Sequence, residues 1–376
     1  MHEANKEEKM KLLFIYTHNG YRDFFLHKDV GMVPSFLSGN NEVDSLFYVE
    51  SKKGSMKFKN LRISYTGKNW FISNFCSFLF LLKNRLRCSD YDLLVFHLSI
   101  RNIIPIILFK LLFKGNVICK MDLNTESAKA YCDNSGGILK RILMKLMAWL
   151  TDHFYVETSR NYEIVKNGIF GIDISKKIEL LPNGVDEKLV ISVVNDGGIV
   201  LRNKVITIIS RFESEDKAPH RILDVVEIMS DLSLHDWQFN IIGSFPDTFI
   251  NKLERKAKQF NVNVTCTGKN KELNEVYEEL YRSEIFLCLS REESYCISLV
   301  EAAVFNNYII TTNVGVAEDL SKIYEKVDIM NNYTKKELNE LIKNVTEKYE
   351  SGNAKISKET LNFYSWDKIV HRTLRK

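Results

Sequence analysis

The segment Glu293-Ser294-Tyr295-Cys296-Ile297-Ser298-Leu299-Val300-Glu301 sets two carboxylates with seven residues between them. It follows a short apolar run over 285–289 through Ser290-Arg291-Glu292 and continues into a helical pattern. The spacing puts Glu293 in the loop at a strand's carboxyl end and Glu301 early in a helix. The backbone N–H groups at the start of that helix, Ile297 and Ser298 among them, have no partner inside the helix and form an anion site. A diphosphate can rest there, with a carboxylate at either side to accept hydrogen bonds from sugar hydroxyls. The same residues also fit an ordinary acidic helix start, which the helix dipole favours.

Arg211 follows the apolar run 205–210, and Lys217 lies six residues on, before the next helical stretch. Two cations in a strand-to-helix loop can clamp a diphosphate and stabilise the charge that develops as it leaves. Solvated surface charge is the plain alternative. In the first half, Tyr91-Asp92-Leu93-Leu94-Val95-Phe96-His97 ends a strand on a histidine.

These residues need elements to hold them. Short apolar runs over 11–17, 92–97, 117–121 and 153–157 read as strands, with amphipathic helices over 103–113 and 137–150 between them. The stretch 40–66 can hold further strands. After the turn chemistry of Pro182-Asn183-Gly184 a second series begins. Its strands are expected over 204–210, 238–243, 262–266, 285–289 and 308–312. Its helices are expected over 221–231, 249–260, 273–281 and 299–305. Strands alternating with helices predict an α/β chain of two doubly wound halves with a boundary near residue 190. Ligands in such sheets bind at the carboxyl ends of the strands, and two facing halves make a cleft.

The order of these features resembles the family 4 retaining glycosyltransferases of the GT-B fold, the glycosyl transferases group 1 type, which has two facing Rossmann-like domains. The likeness covers nearly the whole chain. It is most specific from 177 to 318, where 177–186 matches the turn between domains, Glu293 and Glu301 the two-glutamate motif, and Asn313-Val314-Gly315 the loop after the next strand. Tyr364-Ser365-Trp366-Asp367-Lys368 resembles the family's last helix, which crosses back onto the first domain. The resemblance implies an acceptor domain over 1–190, a nucleotide-sugar domain over 191–355 and a returning helix over 356–376.

It also implies roles. Arg211 and Lys217 would bind the donor diphosphate, Glu293 the donor sugar and Glu301 the ribose. Ile297 and Ser298 would offer amides to the diphosphate, and the main chain near Gly268 and Lys269 would face the base. Gly243 ends a strand in the donor half. His97 would stand near the reacting sugar. Lys28-Asp29-Val30-Gly31-Met32 would fill the place of the Gly-rich loop after the first strand, with Lys28 and Asp122 toward the acceptor. The sequence departs from the family where Ala218 follows Lys217, where Cys296 replaces a common Gly, and where Gly315-Val316 replaces a double Gly. Met121-Asp122 stands where many relatives carry His-Asp. The implied reaction is retaining transfer from a UDP- or GDP-linked sugar, with no cofactor and no metal.

Composition sets the outer bounds. The chain has 376 residues, 45% hydrophobic and 27% charged, which fits two globular domains. Net charge is +4, but residues 52–145 hold 17 Lys/Arg against 5 Asp/Glu. From 57 to 87 seven basic residues and no acidic one are interleaved with Trp70, Phe71, Phe75, Phe78, Leu79 and Phe80. That mixture predicts an anionic membrane surface as partner, with a glycan or polyprenyl-diphosphate-linked acceptor, and no nucleic acid. Seven scattered cysteines without a CxxC, and no secretory signal or membrane span, predict a cytoplasmic protein, peripheral on the inner face of the plasma membrane. Asp90-Tyr91-Asp92 precedes its strand and reads as a polar turn. The histidines are dispersed, and no metal-ligand spacing appears. A nucleotide-sugar epimerase and a non-catalytic sugar-nucleotide-binding subunit are the competing readings.

Overall fold

The computed structural model describes residues 11–18, 23–39, 41–49, 54–67, 69–133, 137–198, 200–268, 272–350 and 352–374. The chain forms two compact units, residues 1–183 with 366–376, and residues 184–365.

The first unit is built on β1 (Leu12–Tyr16), β2 (Val43–Val49), β3 (Ser55–Phe58), β4 (Leu61–Gly67), β5 (Asp92–Phe96), β6 (Val117–Met121), β7 (His153–Val156) and β8 (Ile178–Leu180). They form one sheet in the order β3-β4-β2-β1-β5-β6-β7-β8. Only β3 is antiparallel, against β4. Strands in a parallel sheet are covered on both faces, so β1 and β6 are buried throughout, β1 as a wholly apolar run and β6 with Lys120 as its one charge. The aromatic rings of Phe14, Phe47 and Phe96 cluster across β1, β2 and β5, with centroids 5.3 Å apart for Phe14–Phe47 and for Phe14–Phe96. Each buried ring contributes roughly 1.5–3 kcal/mol by leaving water.

A buried charged pair lies inside this unit. Lys120, on β6, contacts Glu157, and both are fully buried. Asn183 donates from Nδ2 to the same Glu157 oxygen at 2.9 Å. The Pro182-Asn183-Gly184 segment is therefore tied to the end of β7 by its asparagine.

The second unit contains β9 (Val205–Arg211), β10 (Gln238–Ser244), β11 (Asn263–Thr267), β12 (Ile285–Cys288), β13 (Tyr308–Thr312) and β14 (Val327–Met330). All pair in parallel, in the order β11-β10-β9-β12-β13-β14. Numbered within the unit, this is 3-2-1-4-5-6, the doubly wound order whose switch point lies between the first and fourth strands. Gly243 makes the β9–β10 approach possible. Its φ is +144°, and a Cβ there would stand 1.8 Å from the Ser210 carbonyl oxygen.

The unit boundaries differ from the sequence expectation. The division falls after Asn183 rather than at 190, because Val185 is bonded to Tyr364 within the second unit and helix Glu187–Gly197 packs on helix Leu273–Arg282. The other edge falls at Trp366 rather than at 356, since helix Lys358–Tyr364 packs on Ile297–Val304. Trp366, buried in the first unit, stacks on Phe36 with centroids 6.5 Å apart.

Candidate functional site

At the switch point of the second unit, β9 ends on Arg211 and β12 leads into the loop carrying Glu293. Arg211 is exposed, with no ion pair among the described residues. Lys217 closes a short 3-10 turn, Glu215–Lys217. Its ammonium lies 2.6 Å from Glu293 Oε2, with side chains 13% and 15% exposed. It also donates to the Glu292 carbonyl at 3.3 Å. Ser290 Oγ donates to the other Glu293 oxygen at 2.8 Å. Two residues assigned different ligand groups in sequence are thus held against each other, and both carboxylate oxygens have partners. The two loops are stitched together by backbone as well, with Arg291 N–H donating to the Asp216 carbonyl at 2.7 Å.

Helix Ile297–Val304 begins beyond this loop, with Cys296 as its N-cap. No side chain caps it, and its first turn holds no acidic residue. The leading amides of Ile297 and Ser298 are open to an anion. The acidic-helix-start alternative does not describe this geometry: Glu293 lies outside the helix, and Glu301 is in its second turn. Glu301 is 9% exposed and accepts from Tyr277 at 3.4 Å. Burial and the Glu301 carboxylate push the Tyr277 phenol well above its ordinary value, so Tyr277 stays a donor.

Other predicted positions fall out differently. Gly243 serves strand contact, as its geometry shows. Gly268 follows β11 into open space. Lys269 lies outside the described residues. In the first unit Gly31 is not in a loop but inside helix Asp29–Leu37, where a Cβ would stand 2.0 Å from the Leu26 carbonyl oxygen. Its missing side chain lets the helix lie on the preceding turn. Lys28 is the exposed N-cap of that helix, and Asp122 is exposed just past β6.

His97 follows β5 in a left-handed conformation, φ +61°. Asn102 Nδ2 donates to its carbonyl at 2.7 Å and fixes that turn. Strands β1 and β5 are neighbours at this unit's own switch point. A cavity of about 340 Å³ opens at their carboxyl ends, lined among the described residues by Thr17, His18, His97, Ser99 and Arg101. The His18 and His97 rings are 5.4 Å apart. Desolvation, then His97 and Arg101, hold the His18 imidazole below its ordinary value against the opposing pull of Asp122. Asp90-Tyr91-Asp92 is at the opposite end of β5, where Asp92 accepts from the Asn116 amide at 2.7 Å. Asp90 and Tyr91 lead into β5 and Asp92 is its first residue.

Residues 194–360 match the family of glycosyl transferases group 1. They belong to that family. No curated protein matches the chain by sequence. Several solved structures share its fold. The OtsA apo structure superposes with a TM-score of 0.68 at 9% identity, covering 97% of this chain and 98% of that one. Anabaena HepE in complex with UDP gives 0.65 at 12%, covering 97% and 99%. The α,α-trehalose-phosphate synthase (UDP-forming) of Burkholderia xenovorans, in complex with glucose-6-phosphate, gives 0.67 at 9%, covering 97% and 99%. The fold is GT-B.

The departures from the group 1 pattern now have a physical reading. Ala218 has φ +45° and Cys296 φ +64°. Both replace glycine at left-handed positions, which cost a residue with a Cβ roughly 1–2 kcal/mol. Gly315 is retained where φ is +53° and where a Cβ would stand 2.3 Å from the Tyr295 carbonyl oxygen. Val316, where a second Gly is usual, has φ −83° and needs none.

Sequence reasoning passed over three residues. His18 and Arg101 line the first unit's cavity, and neither carries a motif that marks it in sequence. Arg221 was not singled out at all. It donates to the Leu289 carbonyl at 2.7 Å and to Ser290 at 3.3 Å, with its guanidinium 4.2 Å from the Tyr333 ring centroid. It braces the loop that presents Glu293. An arginine opening a helix carried no sequence signal of this.

Proposed function

We propose that this glycosyltransferase moves a hexose, with retention, from a UDP- or GDP-linked donor to a glycan or polyprenyl-diphosphate-linked acceptor at an anionic membrane surface. The setting is cell-surface polysaccharide assembly on the cytoplasmic side. The observation that carries the reading is the Lys217–Glu293 pair ahead of an uncapped helix start at the second unit's switch point, with Arg211 at the end of β9 and Glu301 within that helix.

In this reading the leaving diphosphate rests on the Ile297 and Ser298 amides, with Arg211 and Lys217 neutralising its charge. Glu301, oriented by Tyr277, takes the ribose hydroxyls. Glu293 takes hydroxyls of the sugar, and Lys217 passes from Glu293 to the diphosphate as the donor arrives. The leaving phosphate accepts the acceptor's proton, so no side-chain base is required and no metal is invoked. Two solved relatives in fold were captured with UDP or a sugar phosphate, which supports a sugar-nucleotide donor. The cavity of the first unit, with Arg101 and two histidines, suits an anionic group on the acceptor.

The membrane part rests on an inverted helix. In helix Trp70–Arg85 the buried residues are Ser73, Ser77, Leu81 and Asn84. Ser73 and Ser77 meet the Tyr48 hydroxyl. Trp70, Phe71, Ile72, Phe75, Phe78 and Leu79 face water instead. Helices Ile103–Leu112 and Ile138–Leu150 pack alongside in series and add Leu111, Ile138, Leu139, Ile142 and Trp149. The exposed Lys83, Arg85 and Lys140 lie on the same helices. Apolar side chains with basic neighbours fit an anionic bilayer surface. No described helix is long and apolar enough to cross a membrane.

The test is incubation with UDP- and GDP-sugars and lipid-linked acceptors, followed by nucleotide release and the product's anomeric NMR signal. A transfer product with the donor's anomeric configuration is expected. An isomerised sugar nucleotide without transfer would favour the epimerase.

A further inference from the structure

Among the described residues, folding creates a cluster that linear spacing did not reveal. Cys288 ends β12 and Cys296 caps the following helix, and their sulfurs lie 3.4 Å apart. One donor atom from each, together with a Glu293 carboxylate oxygen, all lie within 4.8 Å of one another. We propose that Cys288, Cys296 and Glu293 bind a thiophilic divalent cation of the zinc class.

The geometry suits a metal bridge better than a covalent one. Tetrahedral zinc with bonds of about 2.3 Å to sulfur sets its two sulfurs about 3.8 Å apart, so the pair opens by roughly 0.4 Å. A disulfide requires closure to about 2.05 Å, a larger movement of two anchored side chains. The anchoring is visible. Cys296 sits in its left-handed conformation between Tyr295, whose carbonyl accepts from Val316 N–H at 2.8 Å, and the first turn of the helix. Gly315 packs against that same carbonyl. A strained cysteine where glycine would be relaxed points to a use for its sulfur.

The hydroxyls of Ser298, 3.5 Å from the Cys296 sulfur, and Ser290, 4.0 Å from the Cys288 sulfur, add oxygen donors beside the pair. Binding exchanges two thiol protons for one divalent cation and leaves the local net charge unchanged, with Lys217 and Glu293 still opposite in sign. As third ligand, Glu293 turns from Lys217 toward the metal. Occupancy would then weaken sugar binding, a consequence that rests on the donor-site reading.

The experiment titrates reduced, metal-free full-length protein with Cd²⁺, read by the ultraviolet thiolate-to-cadmium absorption, and with Zn²⁺ in competition with a chromophoric chelator. One equivalent should bind. Cys288→Ser and Cys296→Ser should each abolish it, and Glu293→Gln should weaken it at least about tenfold. A variant lacking Cys76, Cys88, Cys119, Cys132 and Cys266 should keep it. If Cys288→Ser fails to fold, Cys296→Gly, which suits the backbone at that position, replaces it. Absence of stoichiometric binding, binding that survives loss of both thiols, or loss of two thiols to a disulfide in place of metal uptake overturns the proposal. Nucleotide-sugar binding is measured by thermal shift on metal-free and zinc-loaded protein. No shift in the metal-free protein counts against the donor reading alone, and equal shifts in both forms refute the coupling.

Discussion

Replacing Lys217 by Met removes the cation from a contact of 2.6 Å to Glu293. At an effective dielectric of about 20, the Coulomb attraction at that distance is about 6 kcal/mol, a ceiling before desolvation is subtracted. The side chains are 13% and 15% exposed, so the pair lies between a solvated and a buried one. Exposed pairs couple by roughly 0.2–1 kcal/mol, and charge-assisted hydrogen bonds contribute roughly 1.5–3 kcal/mol. The expected coupling is about 2 kcal/mol. Glu293→Gln keeps a partner for Ser290 but loses the charge, and the double variant should be about 2 kcal/mol more stable than the sum of the single losses implies. The assay is urea unfolding of the full chain labelled with 5-fluorotryptophan and followed by ¹⁹F NMR. Of the four tryptophans, Trp237 is the one in the second unit, and it is buried, so its signal reports that unit. Additive single losses, with coupling below about 0.5 kcal/mol, would refute the claim that Lys217 and Glu293 act as a unit.

Gly243→Ala should cost the second unit at least about 2 kcal/mol in the same ¹⁹F assay, because a Cβ 1.8 Å from the Ser210 carbonyl oxygen forces the backbone to shift. His18, held below its ordinary value, gains charge only when the pH falls beneath the ordinary histidine range. Its folded pKa is depressed, so folding favours the neutral ring, and stability is lost as pH falls from about 6.5 toward the folded value. Over that window sulfate, whose own charge stays fixed, should bind the first unit more tightly by calorimetry, and His18→Asn should flatten the rise. Phe71→Ser with Phe75→Ser removes rings that are 76% and 62% exposed, and should lower partitioning to anionic vesicles at least about tenfold.

The doubly wound sheets were legible because buried parallel strands leave short, mainly apolar runs. The expected strands over 117–121 and 308–312 coincide with β6 and β13. Strand β14, Val-Asp-Ile-Met, alternates with no such run and went unread, as did the exact strands within 40–66. The glutamates and cations of the second unit were legible in their order: Arg211 ends a strand and Glu293 lies in the loop after one, while Lys217 and Glu301 stand further on, in the following 3-10 turn and helix. Their pairing was not, since sequence does not show that a six-residue turn folds Lys217 back onto Glu293. Gly31 misled because a glycine needed for close helix packing looks the same in sequence as one in a phosphate loop. The cysteine pair is brought together only by the strand-to-helix turn, and its spacing matches no ligand motif.

The most direct test of the central claim is a thermal-shift screen of the wild type, Arg211→Ala and Glu301→Ala against UDP, GDP, ADP and their sugar conjugates. A ligand bound only to the native state raises the melting temperature by mass action. A donor site at the second unit's switch point predicts that one nucleotide series stabilises the wild type and that both variants lose that shift. A shift that survives in both variants places the nucleotide elsewhere, and no shift with any series at millimolar concentration contradicts a functioning donor site.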